Sequence, residues 1–301
     1  MKLFLTGITG YVGSVIAETF RARGHQVYGL VRTQEKAALM AAKGYFTILG
    51  DLRDEAALRE GVSMADGVIH TAISHTPENE ALDTHATRVM LDALSGSGKP
   101  FIYTSGNLIH NDTGETFVDE GTPVRPLPFL AWKAAMEQEV LRASAAQVRT
   151  IVLRPSLVYG RGSGIVRGAI ENAKQTGMVR YMGDGANAWS TIDVDDLAEL
   201  YWRAYHHAPA GSLYHATSRD VVTMRDLSMA IGRLLGLEDQ VRAWSYEEAS
   251  EVMGPAAWTM SISQRIAGKK AEAELQWRAK AHSLLHDLES GSYQMLDKTE
   301  A

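Results

Sequence analysis

The chain has 301 residues, 45% of them hydrophobic and 22% charged, and a formal net charge of −6. These values are ordinary for a globular protein, and the negative charge, with no Lys/Arg block, argues against an electrostatic nucleic-acid surface. Because the chain has no cysteine, disulfides, thiolate metal sites and a cysteine nucleophile are excluded. No apolar run reaches membrane length and the first strand pattern begins at Lys2, so we expect a cytoplasmic protein without a signal peptide.

The first 24 residues predict a strand, a glycine-rich turn and a helix. Residues 3–5 form a short apolar run, Gly7, Gly10 and Gly13 follow it, and a helical pattern then ends at Gly24. Glycines let a backbone approach a pyrophosphate, and the N-terminus of the next helix binds its charge. A lone glycine triplet is weak evidence, but these flanks favour a dinucleotide site over an ordinary tight turn.

Strand and helix patterns alternate through the first 155 residues. After the first strand, the predicted strands are 26–32, 45–49, 67–72, 101–104 and 150–153. Such alternation predicts a parallel sheet covered by helices on both faces, with ligands at the carboxyl ends of its strands. Further along we predict helices over 196–205 and 224–235, a strand over 212–216 and a mostly helical C-terminal region.

Several motifs resemble those of the extended and atypical short-chain dehydrogenase/reductases, a group that includes epimerase/dehydratase-like proteins. The turn over residues 6–13 (Thr-Gly-Ile-Thr-Gly-Tyr-Val-Gly) carries the resemblance first, and further matches follow in order at 50–52, 70–72, 153–160 and 183–198. The resemblance implies an α/β fold, with a Rossmann doubly wound parallel sheet formed by residues 1–158 and 190–217. A smaller, mostly helical substrate lobe would comprise residues 159–189 and 218–301.

The resemblance also implies a nicotinamide dinucleotide as cofactor. The residues expected to bind it are Gly7, Thr9, Gly10, Tyr11, Val12, Gly13, Arg32, Asp51, Leu52, Thr71, Ala72, Ile73, Thr104, Lys133, Pro155 and Val158. NAD binders usually place an acid after the second strand, where it binds the ribose 2′-hydroxyl. This chain has Arg32 there, with Lys36 one turn on, and a guanidinium suits a phosphate. We therefore expect NADP(H), the alternative being that Arg32 is an ordinary surface arginine.

The family's catalytic residues are incompletely matched. Its members carry a Tyr and, four residues later, a Lys that lowers the pKa of the tyrosine, which exchanges a proton with the substrate. Lys133 is present, but Phe129 occupies the tyrosine position. Gly106 takes the usual position of the partner serine, with Ser105 one residue earlier, and Asp83 replaces an asparagine.

The candidates for the missing proton donor are Ser105, Tyr159, His110 and Asp83. Tyr159 has an alternative role in packing the loop after Pro155, and His110 an alternative as a polar residue just past the strand. A hydride step that needs less protonic help, such as reduction of an imine or an activated alkene, would also accommodate the missing tyrosine.

Two functions from different classes follow. The first is an NADP(H)-dependent oxidoreductase that acts on a small, uncharged and partly apolar substrate, with Lys133, Ser105, Tyr159 and Asp83 as active-site candidates. The second is a non-catalytic NADP(H)-binding regulator or sensor. An epimerase or dehydratase acting on a sugar-like substrate is a third, disfavoured because Trp189 lies where relatives that bind nucleotide sugars often carry an arginine. The histidines show no ligand-spaced cluster, so we expect no metal, and the resemblance implies a homodimer.

Overall fold

The alternating patterns form one parallel seven-stranded sheet in the computed structural model, which describes residues 1–254 and 256–297. The strands, in chain order, are β1 (Lys2–Thr6), β2 (Gln26–Val31), β3 (Phe46–Leu49), β4 (Gly67–His70), β5 (Pro100–Thr104), β6 (Arg149–Pro155), β7 (Leu157–Tyr159), β8 (Val179–Met182), β9 (Ala188–Asp193), β10 (Ser212–Ala216), β11 (Val221–Thr223) and β12 (Val241–Trp244). The large sheet has the order β10-β6-β5-β4-β1-β2-β3. All of its neighbouring strands run parallel.

Helices connect these strands and cover the sheet. They are α1 (Tyr11–Ala22), α2 (Gln34–Ala42), α3 (Glu55–Met64), α4 (Asn79–Leu94), α5 (Ala131–Arg142), α6 (Gly164–Thr176), α7 (Val194–His207), α8 (Met224–Leu235), α9 (Tyr246–Met253), α10 (Ala256–Ser261), α11 (Lys269–Leu275), α12 (Leu284–Ser290) and α13 (Gln294–Asp297). Within the described residues, no helix combines the length and the apolar character that crossing a bilayer requires.

The apolar run of β1 is buried on both of its faces. Leu3 and Leu5 pack in a core with residues of α1 and α7, while Phe4 between them packs in a second core with residues of α3 and α4. Successive strand residues point to opposite faces, so a continuous apolar run is what a sheet covered on both sides requires. The chain therefore forms the predicted α/β sheet, which is covered by helices on both faces.

The strand order reverses at β1, which lies between β4 and β2. The connections from β1 and from β4 leave the sheet in opposite directions at this point, so a crevice opens beyond the carboxyl ends of the two strands. The glycine turn follows β1 directly and therefore lies at that crevice.

The second half of the chain forms a smaller lobe around its own apolar core. That core contains Tyr159, Val166, Ile170, Leu284 and Tyr293. The strands β7, β9 and β11 form one small sheet there, and β8 pairs with β12 in another. The strand predicted over 212–216 is β10, which returns to the edge of the large sheet. Of the predicted lobe segment 218–301, residues 255 and 298–301 lie outside the described residues.

Candidate dinucleotide site and its neighbouring side chains

The glycine turn after β1 is packed too closely for larger residues. Gly7 has a φ of +81°, and a Cβ added there would lie 2.7 Å from the Thr71 hydroxyl oxygen. A Cβ added at Gly13 would lie only 2.1 Å from the Gly7 carbonyl oxygen. Gly10 precedes the first residue of α1 and has no side chain to cap the helix. The turn thus presents bare backbone at a helix N-terminus, the arrangement that binds anions.

A cavity of about 590 Å³ opens above this turn. The predicted cofactor residues that line it are Gly7, Thr9, Gly10, Tyr11, Val12, Gly13, Arg32, Asp51, Leu52, Thr71, Ala72 and Ile73. A volume of this size is typical of small-molecule and cofactor pockets. The crevice at the strand-order reversal therefore has the size, the glycine-lined floor and the helix terminus that fit a dinucleotide.

The end of the cavity near β2 carries positive charge. Arg32 follows β2 directly and Lys36 lies in the first turn of α2, and both line the cavity. Arg53 lines it too, but its guanidinium binds Asp51 at 3.2 Å and also binds Glu78. No ion pair involves Arg32 or Lys36 within residues 1–254 and 256–297, so their charges are free to meet an anion.

Some residues of the cavity wall are not among the cofactor-binding residues predicted from the sequence. The additional lining residues are Leu30, Val31, Gly50, Arg53, Ser74, His75, Thr76, Glu78 and Leu82. Most of them are neighbours of assigned residues in the same loops, so extending each motif by two or three positions would have found them. Leu82 lies inside α4 and reaches the cavity only through the packing of that helix.

A buried polar network lies beside the sheet. Lys133 on α5 donates to Asp83 on α4, with Nζ 2.9 Å from Oδ2. The Tyr103 hydroxyl donates to the other Asp83 oxygen at 2.6 Å, and the Lys133 nitrogen lies 4.4 Å from the centre of the Tyr103 ring. His70 Nε2 lies 3.7 Å from Asp83 Oδ2, and its Nδ1 is 2.6 Å from the Thr6 hydroxyl.

The network keeps Asp83 ionised. Burial by itself raises the pKa of Asp83, but the neighbouring His70 and the ammonium of Lys133, which donates a hydrogen bond to this carboxylate, lower it further than burial raises it. The pKa of this carboxyl therefore lies well below its ordinary value, and Asp83 is a carboxylate at neutral pH. It anchors Lys133 and has no proton to donate.

Ser105 follows β5, and its buried hydroxyl has no hydrogen-bond partner among the described residues. Next to it, a Cβ added at Gly106 would meet no heavy atom within 4 Å. Phe129 lies in a short 3-10 helix before α5, one turn ahead of Lys133, and its side chain is 49% exposed. The carboxyl end of β5 therefore contains one buried hydroxyl that no described group engages, and the phenyl ring of Phe129 has no proton to donate.

The other two candidate proton donors, Tyr159 and His110, already contact other groups of the protein. The Tyr159 hydroxyl donates to the carbonyl oxygen of His282 in the lobe, and burial raises the pKa of this tyrosine well above its ordinary value. His110 Nε2 lies 3.2 Å from Arg154 Nη1 and 3.1 Å from His215 Nε2. Burial and the Arg154 charge lower the pKa of His110 to about 4, so its ring is neutral at pH 7.

The remaining predicted cofactor residues do not line the cavity. The Thr104 hydroxyl is 2.6 Å from that of Tyr201. Pro155 ends β6, and Val158 in β7 packs against the core of the nucleotide domain. Like Lys133, they lie at or beyond the carboxyl ends of β5 and β6, on the side where a bound dinucleotide would extend past β4.

Further observations on the described residues concern the binding of metals and anions. Among them, no group of three or more histidine and carboxylate side chains could hold a metal ion. Trp189 donates its ring N–H to the carbonyl oxygen of Ile262 at 2.8 Å. Arg161 binds Asp195 and Arg167 binds Glu171, both at 2.6 Å, so both guanidiniums are already paired.

Comparison with known protein families agrees with this geometry. Residues 3–216 match the NAD dependent epimerase/dehydratase family. The chain belongs to this family. An uncharacterized protein of Schizosaccharomyces pombe is 32% identical over 97% of this chain and 100% of its own length. This family member is also similar to a 4-hydroxy-2-methyl-3-oxo-4-farnesyl-3,4-dihydroquinoline-1-oxide ketoreductase of Stigmatella aurantiaca, at 26% identity over 88% of this chain and 83% of the ketoreductase.

Among solved structures, the fold is similar to that of the UDP-glucose 4-epimerase of Thermotoga maritima. The TM-score is 0.83 at 18% sequence identity, and the match covers 100% of both chains. At that identity the likeness concerns the fold, a Rossmann-like parallel sheet with a smaller lobe after it.

Proposed function

We propose that the protein is an NADP(H)-dependent oxidoreductase of the short-chain dehydrogenase/reductase type. The observation that carries the proposal is the unpaired positive charge of Arg32 and Lys36 in the dinucleotide cavity. A free guanidinium and ammonium suit the 2′-phosphate, whereas a carboxylate at this position would repel it. The bare glycine turn and the N-terminus of α1 would hold the pyrophosphate.

Two relatives support a reductase. One is the Stigmatella aurantiaca ketoreductase, and the other is a 2-alkyl-3-oxoalkanoate reductase of Stenotrophomonas maltophilia, 28% identical over 84% of this chain and 81% of its own length. Both of these relatives are named as reductases of keto compounds. We propose the same reaction class for this chain, with its own substrate.

Bound NADPH would supply the hydride for a carbon of the substrate. Lys133 would hold the nicotinamide ribose, and Asp83, held in turn by Tyr103, would keep the ammonium in place. Because Asp83 is ionised and buried, it orients Lys133 without competing for protons. These residues position the cofactor, and another group must act on the substrate oxygen.

Ser105 is the best of the predicted candidates for that role. Its hydroxyl is unengaged, whereas Tyr159 donates to His282 and Asp83 carries no proton. We propose that the Ser105 hydroxyl donates a hydrogen bond to the substrate oxygen during hydride transfer. That oxygen then takes up a proton from solvent, which replaces the proton that a tyrosine would deliver.

The substrate proposed is small, uncharged and partly apolar. The two lobe arginines that could meet a negative group, Arg161 and Arg167, are both engaged in ion pairs. Two large apolar side chains are exposed and could contact an apolar body: Ile73, which lines the cavity and is 62% exposed, and Phe129, which is 49% exposed and lies one turn before Lys133. A nucleotide diphosphate would find neither a free cation in these two arginines nor one at Trp189.

The experiment combines binding and turnover. Purified protein is titrated with NADPH and NADH, and NADPH oxidation is followed with a panel of ketones, imines and activated alkenes. We expect tighter binding of NADPH and turnover of at least one class. Ser105→Ala should lower kcat/KM about 10²-fold, in line with the loss of one positioned donor, and leave the NADPH Kd unchanged. An equal loss in kcat/KM and in the affinity for NADPH would mean that Ser105 stabilises the fold and does not act on the substrate.

A non-catalytic NADP(H) sensor is the second candidate function, and Phe129 is the observation that favours it. A phenyl ring replaces the hydroxyl that exchanges protons in the family, and the Lys133 ammonium is bound to Asp83. A parent protein that binds NADPH and turns over nothing, while Phe129→Tyr gains activity, would support the sensor. Turnover by the parent protein would exclude it.

Two further expectations form part of the proposal. The homodimer rests on the resemblance to the family, and light scattering of the purified protein measures it directly. The cytoplasmic location rests on the sequence pattern, and microscopy of the tagged protein in its own cells would test it.

A further inference from the structure

His70 carries a buried ring nitrogen that has no hydrogen-bond partner among the described residues. This nitrogen is Nε2, and the histidine is only 1% exposed. Buried polar groups in folded proteins are nearly always paired, so an unpaired one calls for an explanation. The Oδ2 atom of Asp83 lies 3.7 Å away, just beyond hydrogen-bond distance. His70 therefore faces the carboxylate of Asp83 without a hydrogen bond to it.

The hydrogen bonds around Thr6 determine which nitrogen of His70 carries a hydrogen. The Thr6 hydroxyl oxygen accepts from the backbone N–H of Ala72 at 3.4 Å and lies 2.6 Å from His70 Nδ1. The hydroxyl hydrogen of Thr6 has no other acceptor in the described part of the chain, so it is donated to Nδ1. In a neutral imidazole whose Nδ1 accepts, the hydrogen is on Nε2. The unpaired atom is thus a donor that faces a carboxylate.

The ring of His70 is held firmly in place. His70 ends β4 and pairs with Thr6 of β1 on one side and with Tyr103 of β5 on the other. Its ring packs against that of Tyr103, with the centroids 6.0 Å apart and the planes at 28°. Because this ring is fixed at the centre of the sheet, a movement of the Asp83 side chain is what would close the gap of 3.7 Å.

The oxygen that faces His70 also binds Lys133. The Nζ atom of Lys133 lies 2.9 Å from Asp83 Oδ2. The side chain of Lys133 is 15% exposed, whereas those of Asp83 and His70 are 2% and 1% exposed. A ligand can therefore reach Lys133 but neither of the other two. If the ammonium turns toward a ligand, Oδ2 loses its partner, and an unpaired buried carboxylate oxygen is costly.

We propose that His70 is a positioning residue that releases Lys133 to the cofactor. When the dinucleotide binds, Lys133 extends toward the nicotinamide ribose and its bond to Oδ2 lengthens. Asp83 then moves toward His70, and Nε2–H donates the hydrogen bond that Lys133 gives up. This inference rests on the proposed function, because it takes Lys133 to hold that ribose.

The exchange keeps the buried carboxylate paired in both states. The Tyr103 hydroxyl holds the other oxygen of Asp83 at 2.6 Å, so only Oδ2 changes its partner. The charge of Asp83 continues to orient the ammonium of Lys133. Without the N–H of His70, each bond from Lys133 to the ribose would leave Oδ2 unpaired, and the cofactor would bind less tightly at its nicotinamide end.

The test compares two ligands by isothermal titration calorimetry. NADP⁺ carries the nicotinamide ribose, whereas adenosine 2′,5′-bisphosphate has the adenine and the 2′-phosphate but lacks that ribose. The ratio of their Kd values therefore reports on the end of the dinucleotide that Lys133 would hold. We expect the parent protein to bind NADP⁺ more tightly. His70→Asn should weaken NADP⁺ about 10-fold and the bisphosphate less than about 2-fold.

Asparagine and glutamine at this position separate the roles of the two ring nitrogens. The amide of Asn reaches the position of Nδ1 and keeps an acceptor for Thr6, whereas the amide of Gln reaches that of Nε2 and keeps a donor for Asp83. His70→Gln should therefore restore most of the NADP⁺ affinity that His70→Asn loses. The matched control is His215→Asn, since His215 is also fully buried but lies against His110. It should leave the ratio of the two Kd values unchanged.

A second measurement uses the parent protein alone. In protein with ¹⁵N-labelled histidine, NMR follows the Nε2–H hydrogen of His70, identified by its proximity to the ring of Tyr103. A hydrogen bond to a carboxylate deshields this hydrogen, so its signal should move downfield when NADP⁺ binds. Adenosine 2′,5′-bisphosphate does not reach Lys133 and should leave the signal in place.

Several results would overturn the proposal. They are an unchanged ratio of Kd values in a folded His70→Asn protein, a His70→Gln protein that binds NADP⁺ as weakly as His70→Asn, and an Nε2–H signal that NADP⁺ does not move. If the parent binds NADP⁺ no more tightly than the bisphosphate, Lys133 holds no ribose and the proposal fails. The expected ratios and the expected shift without any NADPH oxidation would contradict the oxidoreductase proposal alone.

Discussion

Replacing Arg32 by alanine tests the cofactor proposal most directly. Arg32 is exposed at the end of β2, lines the dinucleotide cavity and has no ion-pair partner among the described residues. The substitution therefore removes one positive charge and leaves no carboxylate without a partner. The Arg32→Ala fold should be as stable as the parent, so a change in binding reports on the ligand.

The expected loss follows from one charged contact. Hydrogen bonds to charged groups contribute about 1.5–3 kcal/mol, which corresponds to roughly 10–100-fold in affinity. Because Arg32 is exposed, solvent screens the interaction, and we expect the lower part of that range, about 10–30-fold weaker NADPH binding. NADH has no 2′-phosphate, so its affinity should change less than about 2-fold. Lys36→Ala added to Arg32→Ala should reduce NADPH binding about 10-fold more.

Fluorescence titrations at two salt concentrations measure these effects. The affinity for NADPH should fall with salt in the parent protein and fall less steeply in Arg32→Ala, since fewer charges meet the phosphate. Arg53→Ala is the matched control, because its guanidinium lines the same cavity but is already bound to Asp51 and Glu78. It should change NADPH and NADH binding by the same factor. Tighter NADH binding by the parent, with the preference unchanged in Arg32→Ala, would refute the reasoning.

Three further predictions concern the turn, the network and pH. Gly13→Ala should abolish dinucleotide binding in a titration, because its Cβ would lie 2.1 Å from the Gly7 oxygen; Gly106→Ala, which meets nothing within 4 Å, should bind normally. Asp83→Asn should lower the free energy of unfolding in urea by about 3–5 kcal/mol, since it leaves Lys133 buried without its carboxylate, and a loss below 1 kcal/mol would contradict the network. Burial, the neighbouring His110 and the Arg154 charge lower the pKa of His215 in the folded state to about 3, against about 6.5 when unfolded. The unfolded chain therefore takes up the proton first, so this contribution to stability is complete above pH 6.5 and is lost as the pH falls toward 3. Between pH 7.5 and 5 the parent should lose about 2 kcal/mol more than His215→Asn in urea unfolding, and equal losses would exclude the mechanism.

Much of the fold could be predicted because its signals are local. The apolar run of β1, the glycines after it and the alternation of strand and helix each involve residues close in the chain, and they predicted the parallel sheet and its ligand crevice. The cavity then assembled the residues of that turn with Arg32, Asp51 and Thr71, which all follow strands of one sheet edge. Parallel strands bring such positions together wherever they lie in the sequence.

The hydrogen bonds of individual side chains could not be predicted in the same way. Asp83 and Lys133 are 50 positions apart, and Tyr159 and His282 are 123 apart, so their pairing depends on how helices and lobe pack. The sequence offered Ser105, Tyr159, His110 and Asp83 as candidate proton donors, with structural roles as alternatives for Tyr159 and His110. Only the tertiary contacts distinguish these four candidates. Burial and hydrogen-bond partners determine the pKa of a group, and so whether it carries a proton that it can donate.

Signals from residues close together in the chain were enough to predict the Rossmann-like fold and the positively charged side chains that follow β2. A glycine turn, the end of a strand and the charge of a side chain are properties of short segments. They stay the same in any packing that brings those segments to one edge of the sheet. The tertiary structure decided which polar atoms are already satisfied and which still need a partner. That is why the unpaired Nε2 of His70, whose ring is held by the hydroxyl of Thr6 in the neighbouring strand, became visible only in the folded chain.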